Sequence, residues 1–379
     1  MRSDERSSIP PLPAMEGHAD PGLGPGTLAV SSGPGHKGAP SWAPDGDRIA
    51  FITDGYVVDG SVDTDGVRRW TTKDFGAEEA EWTGEDSLAI LGGSPAGEPG
   101  TPRPLYRGTY EEGSLAVEEV STGIRAMSAD PEAETMIVAF EISPSKTGLA
   151  ALRSNGEIGR VFTDVIRGVV TGISPSPSGE EAVLAARAGG PEGPYDLHLF
   201  DLRTGESRRV VSLGADQQIF GTPQWTEHGI YYVGGESGTS GSEKTALYNL
   251  YRVPTDPDED QLPQPAPGVG REFVAASVQA SPNGKRLAVI GRLNPNSPIN
   301  LYVLGLEAQD LDAVTTNEDM EIKTGPDDLD WSPTGDGVAI VARGVPSGEP
   351  VVRGAPAQAL LEDFFNVYEV PVSDREMPR

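Results

Sequence analysis

The sequence predicts an all-β chain folded as a β-propeller: a closed ring of seven four-stranded antiparallel sheets, with six or eight sheets as the alternatives. Three observations predict it. The phrase SWAPDGDRIAFI at 41 to 52 returns, little changed, as DWSPTGDGVAIV at 330 to 341. Up to four strand-length segments can be read in a period of about 48 residues, a third and a fourth being visible in several of the repeats. A spare strand, GTLAVSS at 26 to 32, stands before the first repeat, and the last repeat ends after its third strand.

Each blade begins with the same phrase. Its anchor falls at Trp42, Trp82, Met127, Pro175, Trp225, Ala280 and Trp331, so four of the chain's five tryptophans occupy one position in the repeat. That regularity is structural, since a large flat ring at a fixed place on an inner strand can wedge between neighbouring sheets. A turn follows each tryptophan and several of the other anchors (APDG, TGED, SPSG, TEHG, SPNG, SPTG). Where it reads Pro-x-Gly, the glycine must take positive φ. The second strands are IAFI, LAIL, MIVAF, AVLAA, IYYV, LAVI and VAIV, apolar enough throughout to be buried on both faces. Third strands are YDLHLFDL at 195 to 202, LYNLYRVP at 247 to 254, INLYVLGL at 299 to 306 and FNVYEVPV at 365 to 372. Fourth strands are GVRRWTT at 66 to 72, SLAVEEV at 114 to 120, ESRRVVSL at 206 to 213 and LDAVTT at 311 to 316. The spare N-terminal strand is expected to supply the missing fourth strand of the last blade and close the ring, because an open array would leave unpaired edges. The expected organisation is a Pro/Gly-rich tether over 1 to 25, one propeller over 26 to 372 and a tail over 373 to 379.

Composition restricts the partners. With 48 Gly, 34 Pro and 36% apolar residues, the 379-residue chain has many turns and enough apolar side chains for a core. Its formal charge of −29 repels nucleic acid and anionic lipid, so neutral or cationic partners are expected. The chain has no cysteine, which removes disulfides, thiolate nucleophiles and cysteine-ligated zinc. No segment approaches the roughly 20 apolar residues of a spanning helix, and the first residues lack the apolar stretch of an export signal.

On WAPDG at 42 to 46, WSPTG at 331 to 335, the strand after each, and LHLFDLRTGESRRV, the chain resembles the TolB-like and WD-repeat-like β-propellers over about residues 26 to 372. ASPNGKRLAVIGRL followed by NLYVLGLE is similar to the propeller part of LpqB-type lipoproteins. The resemblance implies a propeller that binds partners outside the cytoplasm, in the periplasm, at the cell surface or secreted. It does not fix an activity, because the same blades frame unrelated enzymes.

The chemistry-bearing residues point away from catalysis. No G-x-S-x-G occurs, and GGESGTSGSEK at 234 to 244 reads as a loop. The four histidines, His18, His36, His198 and His228, show no metal-ligand spacing, and SVDTDG at 61 to 66 lacks the distal glutamate of a calcium loop. No catalytic residue, metal or cofactor is therefore expected. The functional expectation is a binding or scaffolding module that docks a protein, peptide or glycan, with an enzyme using carboxylates or a metal at the channel mouth as the alternative. Five residues into the second strands stand Arg187, Arg292 and Arg343, either a basic rim that grips an anionic group or three guanidinium groups each paired within its own blade. Long second-to-third connections place recognition on that face. The longest, 343 to 364, has room for a short helix whose Leu360, Leu361 and Phe364 lie over the channel mouth.

Overall fold

The computed structural model describes residues 28 to 31, 35 to 61, 67 to 71, 75 to 92, 100 to 111, 114 to 130, 135 to 236, 247 to 254, 262 to 316, 320 to 344 and 365 to 372. The expected tether and tail and the helix expected near 360 lie outside the described residues. Among the described residues the secondary structure is strand, with no α-helix.

The strands pair as antiparallel meanders. Blade 1 comprises Lys37–Trp42, Arg48–Thr53, Tyr56–Ser61 and Val67–Arg69. Blades 2 and 3 share the 17-residue strand Ser114–Asp130, whose first part is the outer strand of one and whose second part is the inner strand of the other. Around it stand Ala77–Gly84, Ser87–Gly92 and Arg103–Glu111 in blade 2, and Thr135–Ser143, Lys146–Arg153 and Ile158–Val161 in blade 3. Blade 4 is Gly168–Pro175, Glu181–Ala188, Tyr195–Asp201 and Ser207–Ser212. Blade 5 is Gln217–Thr226, Gly229–Glu236, Leu247–Val253 and Gln264–Pro265. Blade 6 is Val274–Ala280, Arg286–Arg292, Asn300–Gly305 and Asp310–Ala313. In blade 7 the inner strand is split into Met320–Ile322 and Leu329–Trp331, followed by Gly337–Gly344 and Asn366–Pro371. Its fourth strand is the N-terminal Leu28–Ala29, in the register Leu28↔Glu369 and Ala29↔Tyr368. Counting the shared strand once for each blade, the described strands make seven units, and the ring closes through the N-terminus as expected.

The core lies between blades. The second strands are buried on both faces, as in Ile49, Ala50 and Phe51 or Val338 to Ala342, so each sheet packs against the neighbour on either side. Trp82 and Trp331 donate their indole N–H groups to Ser41 O (2.9 Å) and Gln279 O (3.1 Å), each on the preceding blade, which fixes the wedge as well as filling it. Gly46, Gly179, Gly284 and Gly335 have φ between 65° and 77°, and each N–H returns to the carbonyl three residues earlier, at 2.8 to 3.0 Å. A Cβ at Gly46, Gly179 or Gly284 would meet nothing within 4 Å, so it is the backbone conformation that selects glycine there.

One anchor moves. In blade 3 the residue opposite the start of the second strand is Ala129, paired with Met136, while the expected Met127 pairs with Val138 two residues further in. Blade 3 has no glycine turn from which to count, and the register corrects the alignment.

Candidate functional site: the central funnel

The inner strands of all seven blades enclose a cavity of about 540 Å³ on the ring axis. It extends from Thr222 and Asp327 along the inner strands to Pro44, Pro177, Pro282 and Pro333 in the first-to-second turns. Each inner strand must present one side to this axis, and the residue just before the anchor does so. With blade 3 in its corrected register, that column reads Ser41, Glu81, Ser128, Ser174, Gln224, Gln279 and Asp330. All seven can accept a hydrogen bond, at a place where strands otherwise apolar leave the next blade's backbone N–H to be satisfied.

Four of them accept from it. Ser174 Oγ takes the N–H of Trp225 (3.4 Å), Gln224 Oε1 that of Ala280 (3.1 Å), and Asp330 Oδ2 that of Trp42 (2.6 Å). Glu81 Oε2 takes the N–H of Ala129. Between blades 3 and 4 the anchor is Pro175, which has no N–H to donate. The column is therefore a set of inter-blade ties, two of them made by carboxylates.

Those carboxylates do not stand alone. Glu79 and Asp327 line the same funnel, so blades 2 and 7, which flank blade 1, contribute four acidic side chains to one side of it. The rest of the lining carries Asp130 beside Ser128 on blade 3, and the neutral Ser174, Thr222, Gln224 and Gln279. Enclosure by protein raises the proton affinity of all four carboxylates. Asp330 is pushed up to about 7 by burial, against the hydrogen bonds from the Trp42 N–H and Gln279 Nε2 (2.6 Å) that favour its ionised form. Burial, then the charge of Glu79, pushes Glu81 well above the usual carboxylate range, and the charges of Asp330 and Asp327 add to the shift. Glu79 and Asp327 rise for the same first reason, moderated by Arg103. The Arg103 guanidinium joins Glu78 (3.0 Å) to Glu79 (3.3 Å), and Lys323 is held by Asp328 (2.9 Å). The acid excess of the chain thus has a local expression on the axis.

The arginines expected as a rim sit where the spacing put them, at the ends of the second strands of blades 4, 6 and 7, opposite Val169, Val274 and Glu321. None lines the funnel. Arg187 lies over the Tyr195 ring (4.9 Å) and donates to Pro191 O. Arg343 grips Glu321 through Nε (2.8 Å) and Nη2 (2.7 Å) and covers Phe365 (4.8 Å). Leu360, Leu361 and Phe364 are outside the described residues. Among the described residues no group of three or more His, Asp and Glu is arranged to hold a metal ion.

Comparison with known proteins places the fold. No protein-family model matches the chain, and no curated protein matches it by sequence. The β-propeller domain of the trilobed protease from Pyrococcus furiosus is similar over 91% of this chain and 99% of that one, with TM-score 0.56 and 11% identity. The oligogalacturonate lyase of Vibrio parahaemolyticus is similar over 95% and 97%, with TM-score 0.55 and 11% identity. A TolB of Agrobacterium tumefaciens matches over 91% and 93%, with TM-score 0.46 and 12% identity. The β-propeller read from the repeats therefore stands, at the level of the fold, on the likeness to the protease propeller domain.

Proposed function

We propose that this chain is a binding propeller, without covalent chemistry of its own, which docks a protein or peptide by receiving a positively charged group in the central funnel. The observation that carries the proposal is the set of four carboxylates on one wall of a cavity of about 540 Å³. Fully ionised, they repel one another across low-dielectric surroundings, and a guanidinium or ammonium group entering the funnel relieves that repulsion as a proton does. The lining supports a peptide over a glycan, because neutral acceptors and proline rings elsewhere in it suit an extended backbone. The arginine ends and the long second-to-third connections remain a second proposed contact, on the opposite face. A location outside the cytoplasm rests on the resemblance of the repeats alone and belongs to the same proposal.

Calorimetric titration with an amidated tetra-arginine peptide and a tetra-glutamate peptide, at low and high salt, tests it. The cationic peptide is expected to bind, less tightly as salt screens the wall, and Glu81→Gln with Asp330→Asn to weaken it about tenfold or more. Equal binding of both peptides, or full affinity in the double variant, overturns the proposal.

One observation favours the enzymatic alternative: carboxyl groups held partly protonated near neutral pH are suited to general acid catalysis. The same acidity argues against a polyanionic substrate such as that named for the Vibrio lyase, which the wall would repel. Turnover of neutral or cationic glycosides or peptides, lost in Asp330→Asn, would establish this second reading in place of the first.

A further inference from the structure

The seams of the ring are not equivalent, and the one between blades 7 and 1 collects four departures from the pattern. The inner strand of blade 7 is broken between Ile322 and Leu329, so its ladder to the second strand is interrupted beside blade 1. Facing the break, the inner strand of blade 1 holds Ala39 at φ 47°, a conformation a β-carbon disfavours, in its bulge between Gly38 and Ser41; the inner strands of blades 2, 4, 5 and 6 are bulged as well, but without a non-glycine residue in that conformation. A Cβ at Gly38 would come within 2.6 Å of the Lys323 Nζ, so the two strands meet there through a glycine and a cation. Trp42, only 7% exposed, has an indole N–H without an acceptor among the described residues, whereas Trp82 and Trp331 bond to the preceding blade. Across this seam Asp330 is the clasp: it joins Gln279 of blade 6 to the backbone of Trp42 in blade 1.

We propose that the join between blades 7 and 1 is the release seam of the ring, and that negative charge on the funnel carboxylates loosens it. The hydrogen bonds of Asp330 do not decide the matter, since one oxygen of the protonated acid still accepts from the Trp42 N–H. Charge does. Asp330 shares the funnel with Glu79 and Glu81 of blade 2, Asp130 of blade 3 and Asp327 of its own blade; Glu81 feels the charges of Glu79, Asp330 and Asp327, and Asp327 that of Asp328. Of the cations on these blades, Arg103 is bound to Glu78 and Glu79, Lys323 is bound to Asp328, and Lys37 donates to Gly35 O (2.7 Å). Gln279 of blade 6 is neutral. Ionisation of the cluster thus sets the walls of blades 7 and 2 against each other with blade 1 between them. In the neutral seam between blades 4 and 5, tied by Ser174, nothing comparable can build up. This inference is independent of the ligand proposed above, because it concerns the protein alone.

Amide hydrogen exchange at pH 5.5 and 8, corrected for intrinsic rates, tests it on the full chain. Opening at Lys37–Trp42 is expected to rise about tenfold with pH, while opening at Gln217–Thr226 stays level. Asp330→Asn keeps an acceptor for the Trp42 N–H and removes the charge, so it should flatten the response. Glu81→Gln, across the funnel, should reduce it without touching the clasp, and serves if the first variant does not fold. An equal pH response at both seams, or an unchanged response in the folded variants, overturns the proposal.

Discussion

Blades 4 and 7 have the same four strands and opposite histories. Blade 4 is one continuous stretch, Gly168 to Ser212, with an unbroken inner strand of eight residues and a neutral tie to its neighbour. Blade 7 is assembled from both ends of the chain, with an inner strand in two pieces of three residues and a fourth strand of two. Their interiors are nonetheless alike: Leu184 and Phe200 in one, Ile340 and Tyr368 in the other, are all buried. The difference teaches that burial between sheets makes each blade, whereas the ties at the axis and rim decide how firmly a blade is held in the ring.

The largest effect should come from removing the strand that blade 7 borrows. Val30 N and Val367 O bond at 2.9 Å, and Ser31 Oγ accepts from Val367 N at the same distance. Deleting residues 1 to 34 strands those groups and opens an edge, at a cost on the order of 5 kcal/mol, whereas deleting 1 to 22 leaves the pairing intact. Thermal melting of the two truncations separates the cases, and equal midpoints would show that blade 7 stands without the N-terminus.

Next come the interiors, where the two blades should be indistinguishable. Leu184→Ala and Ile340→Ala each remove apolar atoms from a fully buried site and should cost about 3 kcal/mol in denaturant unfolding. A much smaller loss at Ile340 would mean that blade 7 is loosely packed as well as loosely tied.

Titration should then move the two blades in opposite directions. The carboxyl of Asp330 is raised in the folded state, so its contribution to stability is complete below about pH 4 and is lost as pH rises through about 7. In blade 4, burial lowers the proton affinity of His198 despite Asp196 nearby, so its contribution is present above the ordinary histidine value and is lost as pH falls below it. Asp330→Asn should flatten the alkaline limb of a stability–pH curve, and His198→Gln the acid limb. One variant flattening both limbs would break the assignment.

The parts of this design differ in how openly the sequence displays them. Ring closure was legible because a spare strand and a missing strand are each visible in a repeat. The slip at Met127 arose because blade 3 has no glycine turn to count from, and only pairing with Met136 identifies Ala129. The funnel was hidden for a different reason: Glu81 and Asp330 lie on blades 2 and 7, far apart in the chain, and a lone acid before a tryptophan reads as a solvated strand end. The signal was nevertheless present as a column. Reading the residue before each anchor across all repeats gives seven hydrogen-bond acceptors, which inner strands of a solvated edge would not require.

The smallest effect concerns the arginines, and it contrasts outer strand ends with the axis. Arg343 is about 37% exposed and pairs with a Glu321 that is 58% exposed, a geometry in which water screens most of the attraction. Arg187 gains chiefly by lying over Tyr195, which glutamine forfeits only in part. Replacing Arg187, Arg292 and Arg343 together by Gln should therefore shift stability by about 1 kcal/mol or less. Its value lies in binding. If the partner is received by the funnel, the triple variant should hold the cationic peptide as the parent does, since none of the three side chains lines that cavity. If an anionic partner instead docks on the face of the long connections, the triple variant should lose it while Glu81→Gln with Asp330→Asn does not. Measuring both variants against the same natural partner assigns the working face of the ring to one end or the other.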